Sequence, residues 1–278
     1  MVALCCFAQV RVASQAEKHA DVTAQYDSTL NYLNPRTQSI YAYIGQDLYV
    51  LPTTDEYYYG FTQRSTMSTI LRTKASELSG KMMHVDSVFE IDGTIGKDYV
   101  LVLTRTDDGA RWFFQYPAFE SSFPFLCMGY KKHYDDLHGK FDFYVRHGIR
   151  YWNKVDFETG NRLEWEPMTV WKFSESVYDP KHGFAGLYKN SDGQTIAIYN
   201  EEDIVPTLLF EAYVSNYGAD MCKQALKGLI AKDMPDMLLE IAWGKPDKID
   251  YDTYGQYWIY ESNIVRLEGG KVVSWSSY

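Results

Sequence analysis

The chain predicts a mainly β fold with short helices, of α+β type: two small barrels followed by a two-helix plus three-stranded antiparallel C-terminal domain. Three observations predict it. Aromatic residues, which favour strands, make up 16% of the 278 residues, 24 of them Tyr. Two Asp-Gly hairpin signals sit between apolar runs, Asp107-Asp108-Gly109 and Asn190-Ser191-Asp192-Gly193. After Asp203 the hydrophobic period becomes helical, then returns to short strands.

Composition narrows the function classes. The chain is 46% hydrophobic, too apolar to remain disordered, and long enough for two or three small cores. Its formal net charge of −10 argues against a nucleic-acid backbone or an anionic lipid surface as partner, since both need a basic patch. No stretch is apolar enough to span a membrane.

Residues 1–16 read as a truncated signal peptide: an apolar run without its cationic start, then Ser14-Gln15-Ala16 as a small-x-small cleavage pattern. A frayed or buried strand is the alternative. Cys5 follows Leu4 and Cys6 follows Cys5, so the small residue that precedes a lipid-modified cysteine is missing, which argues against a lipid anchor. The expected location is exported, periplasmic or associated with the outer envelope. Residues 17–38 carry Val22, Tyr26, Leu30 and Leu33 on one helical face, stopped at Asn34-Pro35.

Residues 39–130 form the first expected barrel. Its strands are 41–51, 88–91, 99–106 and 110–116, and residues 65–79 read as a loop or short helix. Residues 131–203 form the second, from 139–145, 169–173, 184–189 and 194–199. The Gly-led strands at Gly45 and Gly139 and the paired hairpins suggest a repeat, with each half closed against its own edges. In layout this is similar to the tandem SH3-like barrels of secreted bacterial proteins.

Residues 204–278 are the connector and last domain. Pro206 suits a first helical turn, and Leu208, Leu209, Ala212, Tyr213 and Tyr217 share a face up to Gly218. Met221, Cys222, Ala225, Leu226 and Leu229 repeat the pattern. A further helix reads from an Asp233 N-cap through Met237, Leu238, Ile241 and Ala242 to Gly244, where positive φ is expected, and Pro246 forbids continuation. Strands follow at 254–260, 263–267 and 271–275, the last reversal made by Gly269-Gly270. Trp258, Tyr260 and Trp275 are expected in the core beneath the helices.

Trp243-Gly244-Lys245-Pro246-Asp247, Tyr254-Gly255-Gln256-Tyr257-Trp258-Ile259-Tyr260 and Gly270-Lys271-Val272-Val273-Ser274-Trp275 together resemble the SmpA/OmlA-like family of small envelope domains, over roughly residues 218–278. The family commonly has Gly-Met-Thr where this chain has Ala231-Lys232-Asp233. The resemblance implies two helices on a three-stranded sheet, packing against other envelope proteins, and no catalysis or cofactor. The related β-lactamase-inhibitor fold implies the same.

Few residues suggest chemistry. His133-Tyr134-Asp135-Asp136-Leu137-His138, after Lys131 and Lys132, brings together groups that could ligate a metal or serve as acid and base, but the two histidines share no helical face. It reads as a solvated loop between the barrels. Asp156, Glu158, Glu164 and Glu166 around Trp165 read as an exposed hairpin rather than a glycosidase pair, and Asp92-Gly93-Thr94-Ile95-Gly96 as a turn. Cys127 reads as packing, with no basic neighbour to lower its pKa. No catalytic, cofactor-binding or metal residue is expected.

Tyr57, Tyr58, Tyr59 and Trp171 remain as candidates for an exposed aromatic surface that takes a peptide or glycan. The function expected is a non-enzymatic module that binds an envelope protein or cell-wall component. The alternatives are a hydrolase built on His133, Asp135 and His138, or an inhibitor of a secreted enzyme.

Overall fold

A computed structural model describes residues 11–12, 40–64, 72–93, 96–117, 123–148 and 154–277. The chain is mainly β with short helices and several sheets. It divides into two compact units, Met1–Leu137 with Ser176–Phe184, and His138–Glu175 with Ala185–Tyr278. No helix among the described residues is long and apolar enough to cross a membrane. The expected leader and the helix at 17–38 fall outside the described residues, apart from β1 (Arg11–Val12), which pairs in parallel with Val177 and Tyr178.

In the first unit a short 3-10 turn (Ile40–Tyr43) leads into β2 (Asp47–Val50), then β3 (Tyr57–Tyr59), β4 (Phe61–Thr62), β5 (Arg72–Lys74) and α1 (Ala75–Leu78). The strand and helix at 72–78 lie within the segment read as a loop or short helix. β6 (Met82–Asp92), β7 (Lys97–Arg105) and β8 (Arg111–Pro117) form a meander, followed by β9 (Phe125–Cys127) and α2 (Met128–His138). The sheet order is β4-β8-β7-β6-β2-β9, and each of these neighbouring pairs is antiparallel. The sheet curls, because Phe61 on one end strand and Phe125 on the other bring their rings to 5.4 Å. Inside the curl, Leu48, Val50, Met83, Val85, Leu101, Leu103, Phe114 and Phe125 form the core. Gly109 closes the β7–β8 hairpin at φ +72°, and Arg105 pairs with Asp107 and Asp108 across the turn. That contact, led by the Arg105 hydrogen bond, holds the Asp108 carboxyl far below the ordinary range.

The segment His133–His138, read as a loop, is the C-terminal half of α2. Positions 131, 134, 135 and 138 fall at helical spacing on one face, and there Lys131, Tyr134 and His138 are buried. The apolar period that marks most helices is hidden because two of these inward positions are charged or titratable.

β10 (Asp142–Val145), β11 (Val170–Asp179), β12 (Gly183–Lys189), β13 (Thr195–Ile198) and β14 (Ile204–Pro206) build a sheet of order β13-β12-β11-β10-β14, whose strands belong to the second unit apart from the Ser176–Phe184 portions of β11 and β12. Side-chain alternation splits its faces. Phe143 and Val145 join Leu163, Trp171, Tyr188 and Ile196 in one cluster, while Tyr144 and Val205 join the C-terminal core. Asp156, read in an exposed hairpin, is buried and caps its own turn. It accepts from the amides of Thr195 (2.8 Å), Thr159 (2.8 Å) and Glu158 (3.1 Å) and from the Thr159 hydroxyl (2.9 Å). Burial works to raise its pKa, but these donors outweigh it and hold the carboxyl below its usual range.

Helices α3 (Thr207–Tyr217), α4 (Ala219–Leu226) and α5 (Asp236–Trp243) precede the last sheet. The inward face of α3 is centred on Phe210, with Tyr213, Val214 and Tyr217 partly buried; Leu208, expected inside, is 72% exposed and Leu209 is also exposed. Pro206 ends β14, so the helical face is set one position later than the proline suggested. Asp233 does not cap α5. It lies at φ +65° and its amide binds the Val272 carbonyl, so the helix begins at Asp236.

The C-terminal sheet has four strands where three were expected: β15 (Lys248–Tyr251), β16 (Gln256–Tyr260), β17 (Asn263–Glu268) and β18 (Lys271–Ser277), in sequential antiparallel order. The additional strand, Lys-Ile-Asp-Tyr, is only four residues long and lies on the sheet edge with Ile249 and Tyr251 exposed, so it adds little apolar signal. Trp258, Tyr260, Val265, Leu267 and Val272 face Phe210, Cys222, Leu226, Leu238, Leu239 and Ala242 in one core. Trp258 is 5% exposed, but Trp275, expected beside it, is 46% exposed. Register alone does not separate them. Trp275 pairs with Val265 and so points to the same face, but it sits on the edge strand beyond the cover of the core cluster.

Candidate binding surface on a two-stranded ribbon

The aromatic candidates separate by strand parity. β3 and β5 form a two-stranded antiparallel ribbon with register Tyr57 to Lys74, Tyr58 to Thr73 and Tyr59 to Arg72. Because side chains alternate, the middle pair faces one way and the outer two pairs face the other. The middle pair is anchored inward. The Tyr58 hydroxyl donates to the Leu51 carbonyl at 2.5 Å and lies 2.8 Å from Ser79 Oγ, and its ring packs edge-on against Phe61 at 5.8 Å. The Thr73 hydroxyl donates to the Phe61 carbonyl at 3.1 Å. These bonds fix the ribbon's orientation without using its outer face.

The outer face presents Tyr57, Tyr59, Arg72 and Lys74. Tyr59 is 69% exposed, and both cations are exposed. The Arg72 guanidinium stands 5.0 Å from the Tyr57 ring centroid, so the cation is positioned by the π face rather than by a carboxylate. A hydrogen bond to Glu56 raises the Tyr57 phenol pKa, with the glutamate's charge adding to it, so this hydroxyl stays protonated. Chemically, the face offers a flat aromatic platform beside two cations.

Of the four aromatic candidates, Tyr57 and Tyr59 therefore share a surface and the other two do not. Tyr58 is a buried anchor. Trp171 is 0% exposed, packed edge-on to Trp165 at 5.8 Å in the core of the second unit, because position 171 falls on the inward parity of β11 opposite Phe143. Arg72 and Lys74 were missed. A signal for them exists in the sequence: from Tyr57 to Lys74 there are cations and no carboxylate, although the chain as a whole is strongly acidic.

The titratable cluster on α2 is committed internally. Lys131 Nζ donates to Asp135 at 2.5 Å, and the other Asp135 oxygen accepts from the fully buried Ser176 hydroxyl at 2.5 Å. His138 Nδ1 lies 2.5 Å from the Tyr188 hydroxyl, and its ring stacks on Phe143 at 5.4 Å. His133 and His138 lie on different sides of the helix, as the spacing implied. Among the described residues, no group of three or more His, Cys, Asp and Glu side chains is placed to hold a metal ion. Cys127 and Cys222 are buried thiols, and Cys127 Sγ donates to Gln46 Oε1 at 3.9 Å.

One further polar site is under electrostatic stress. In the second unit the Arg146 guanidinium donates through Nε and Nη2 to one oxygen of buried Asp203, both at 2.8 Å. The next residue, His147, is held by its amide to the Leu226 carbonyl at 2.6 Å and packs its ring against Trp165 at 4.9 Å. Burial pushes the His147 pKa down, helped by Lys154 and Lys227, and its Nε2 is a buried atom without a hydrogen-bond partner.

Fold and surface together define a mainly β protein of several sheets with an aromatic and cationic ribbon face. The chain matches no protein-family model, no curated protein and no solved structure.

Proposed function

We propose that this chain is an exported, non-catalytic binding protein of the cell envelope that engages an envelope protein or cell-wall component through the outer face of the β3–β5 ribbon. The observation that carries the reading is the pairing of exposed Tyr59 and half-buried Tyr57 with Arg72 and Lys74 on one face whose reverse side is anchored by Tyr58 and Thr73. Isolated exposed aromatics are ordinary on protein surfaces, but two tyrosines fixed beside two cations on one face form a recognition feature. The leader-like start of the sequence supports export. In the same reading the curled sheet β4-β8-β7-β6-β2-β9 and the sheet β13-β12-β11-β10-β14 correspond to SH3-like barrels. The α4, α5 and C-terminal sheet assembly corresponds to an SmpA/OmlA-like module, enlarged by one edge strand.

The reading of α2 as a hydrolase site is disfavoured, because Asp135 is held by Lys131 and Ser176, and Ser176 has no exposed surface. Co-sedimentation of the full chain with an insoluble envelope fraction tests the proposal. Binding is expected, with a loss of at least about tenfold in Tyr59→Ala, the size of one stacked aromatic ring and the area it buries. No sedimentation, or sedimentation unaffected by Tyr59→Ala, overturns it.

A further inference from the structure

The ribbon face is small, and its size bears on what it can hold. Two residues along each of two strands cover about 7 Å by about 5 Å. A protein partner in a stable complex needs about 800 Å² on each side, far more than four side chains supply. A peptide adding to a sheet uses backbone groups at an edge, with pockets for alternate side chains, whereas this surface offers the side chains of a ribbon face and a flat ring. A single sugar ring matches the footprint. Its C–H face carries partial positive charge and stacks on the negative face of an aromatic ring.

Charge then selects among sugars. Arg72 pairs with Tyr59 in register, but its guanidinium leans one diagonal step to stand over the Tyr57 ring at 5.0 Å, and Lys74 pairs with Tyr57, so a ring lying on Tyr59 has both cations on its Tyr57 side. A guanidinium favours planar or tetrahedral anions through paired N–H donors. The segment from Tyr57 to Lys74 contains no carboxylate, and the adjacent Glu56 carboxylate is engaged by the Tyr57 hydroxyl, in a chain whose overall −10 charge repels anions elsewhere. We infer that the ribbon takes an acidic sugar unit of a glycan, with Tyr59 stacking on the ring and Arg72 and Lys74 holding its carboxylate or ester-linked phosphate or sulfate. This inference rests on the binding reading above and names its ligand class.

The test titrates the full chain with a uronic-acid oligosaccharide, with the same oligosaccharide methyl-esterified, and with an oligoglutamate, by calorimetry. The acidic sugar is expected to bind at least about tenfold more tightly than its neutral ester, and to weaken as salt rises. Tyr59→Ala should weaken both sugars. Arg72→Gln/Lys74→Gln should remove the preference for the acid while leaving the ester's affinity in place. Circular dichroism of each variant confirms that these exposed substitutions leave the fold intact. Equal affinity for acid and ester, stronger binding of oligoglutamate, or no binding of the acidic sugar overturns the inference. A phosphorylated or sulfated sugar that competes with the uronic acid at the same variants identifies which anion is preferred. If the sugars fail while envelope sedimentation still depends on Tyr59, only the ligand class falls; if sedimentation ignores Tyr59, the surface itself is wrong.

Discussion

Replacing Gly244 with alanine tests how the last helix is joined to the last sheet. Gly244 ends α5 at φ +84° and ψ −174°, an extended positive-φ conformation rather than the left-handed helical one the sequence suggested. A Cβ there would lie 3.5 Å from Arg146 Nη1 and 3.9 Å from Nη2, ordinary contact distances, so collision contributes little. The cost is conformational. This region is open essentially to glycine alone, and strain of that kind costs about 1–3 kcal/mol, here toward the upper end. The chain can relax by shifting the helix end, but it then loses the Gly244 amide bond to the Glu240 carbonyl (2.7 Å) and the Tyr260 hydroxyl bond to the Gly244 carbonyl (3.2 Å). At about 1 kcal/mol each, that route costs about 2 kcal/mol. Either way the loss should be about 2–3 kcal/mol. Every tryptophan except Trp112 falls in the second unit, so urea denaturation of the full chain followed by tryptophan fluorescence reports on the unit that contains the change. A double-mutant cycle with Arg146→Ala should give a coupling near zero, because the guanidinium is not the obstacle. A loss below about 0.5 kcal/mol, or strong coupling to Arg146, refutes the conformational argument.

Further outcomes follow from the same contacts. Trp258→Ala should cost about 3–5 kcal/mol and Trp275→Ala under about 0.5 kcal/mol; similar losses at both would mean the edge of the C-terminal sheet is covered. His147 titrates near 6.5 when unfolded and lower when folded, so between those values the unfolded chain binds more protons and stability falls as pH drops below about 6.5. Comparing denaturation midpoints at several pH values, the His147→Gln variant should show a shallower decline, and an unchanged slope contradicts the burial. Asp135→Ala leaves buried Lys131 without its carboxylate, a loss of about 2 kcal/mol after allowing for the partial exposure of Asp135, read by circular dichroism. Lys131→Met/Asp135→Leu should recover most of it, and failure to do so would mean the pair has a role beyond structure.

The sequence was legible where period and turn chemistry agreed. The Asp-Gly hairpin at Gly109, the strand at Gln256–Tyr260 and the glycine stop at Gly244 all rest on one local signal that tertiary packing did not override. It misled where a buried position is polar. Lys131 and His138 face inward on α2, so the helix reads as a solvated loop, and Lys248–Tyr251 is a short edge strand with exposed Ile249 and Tyr251 that leaves little apolar signal. Aromatic exposure could not be read from residue type. Tyr58, Tyr59 and Trp171 differ only in strand parity and in which sheet they join, and parity becomes known only when the pairing register is fixed. The cations of the ribbon lie across the register from the tyrosines and far from them in sequence, so the group of four exists only after pairing.

The most direct measurement of the ribbon as a recognition surface is an amide chemical-shift titration of the isotope-labelled full chain with the acidic oligosaccharide. The account predicts saturable shifts centred on Tyr57, Tyr59, Arg72 and Lys74, absent in Tyr59→Ala and weakened by salt. Shifts centred on the α2 residues His133 to His138, or no saturable shifts at all, would contradict it.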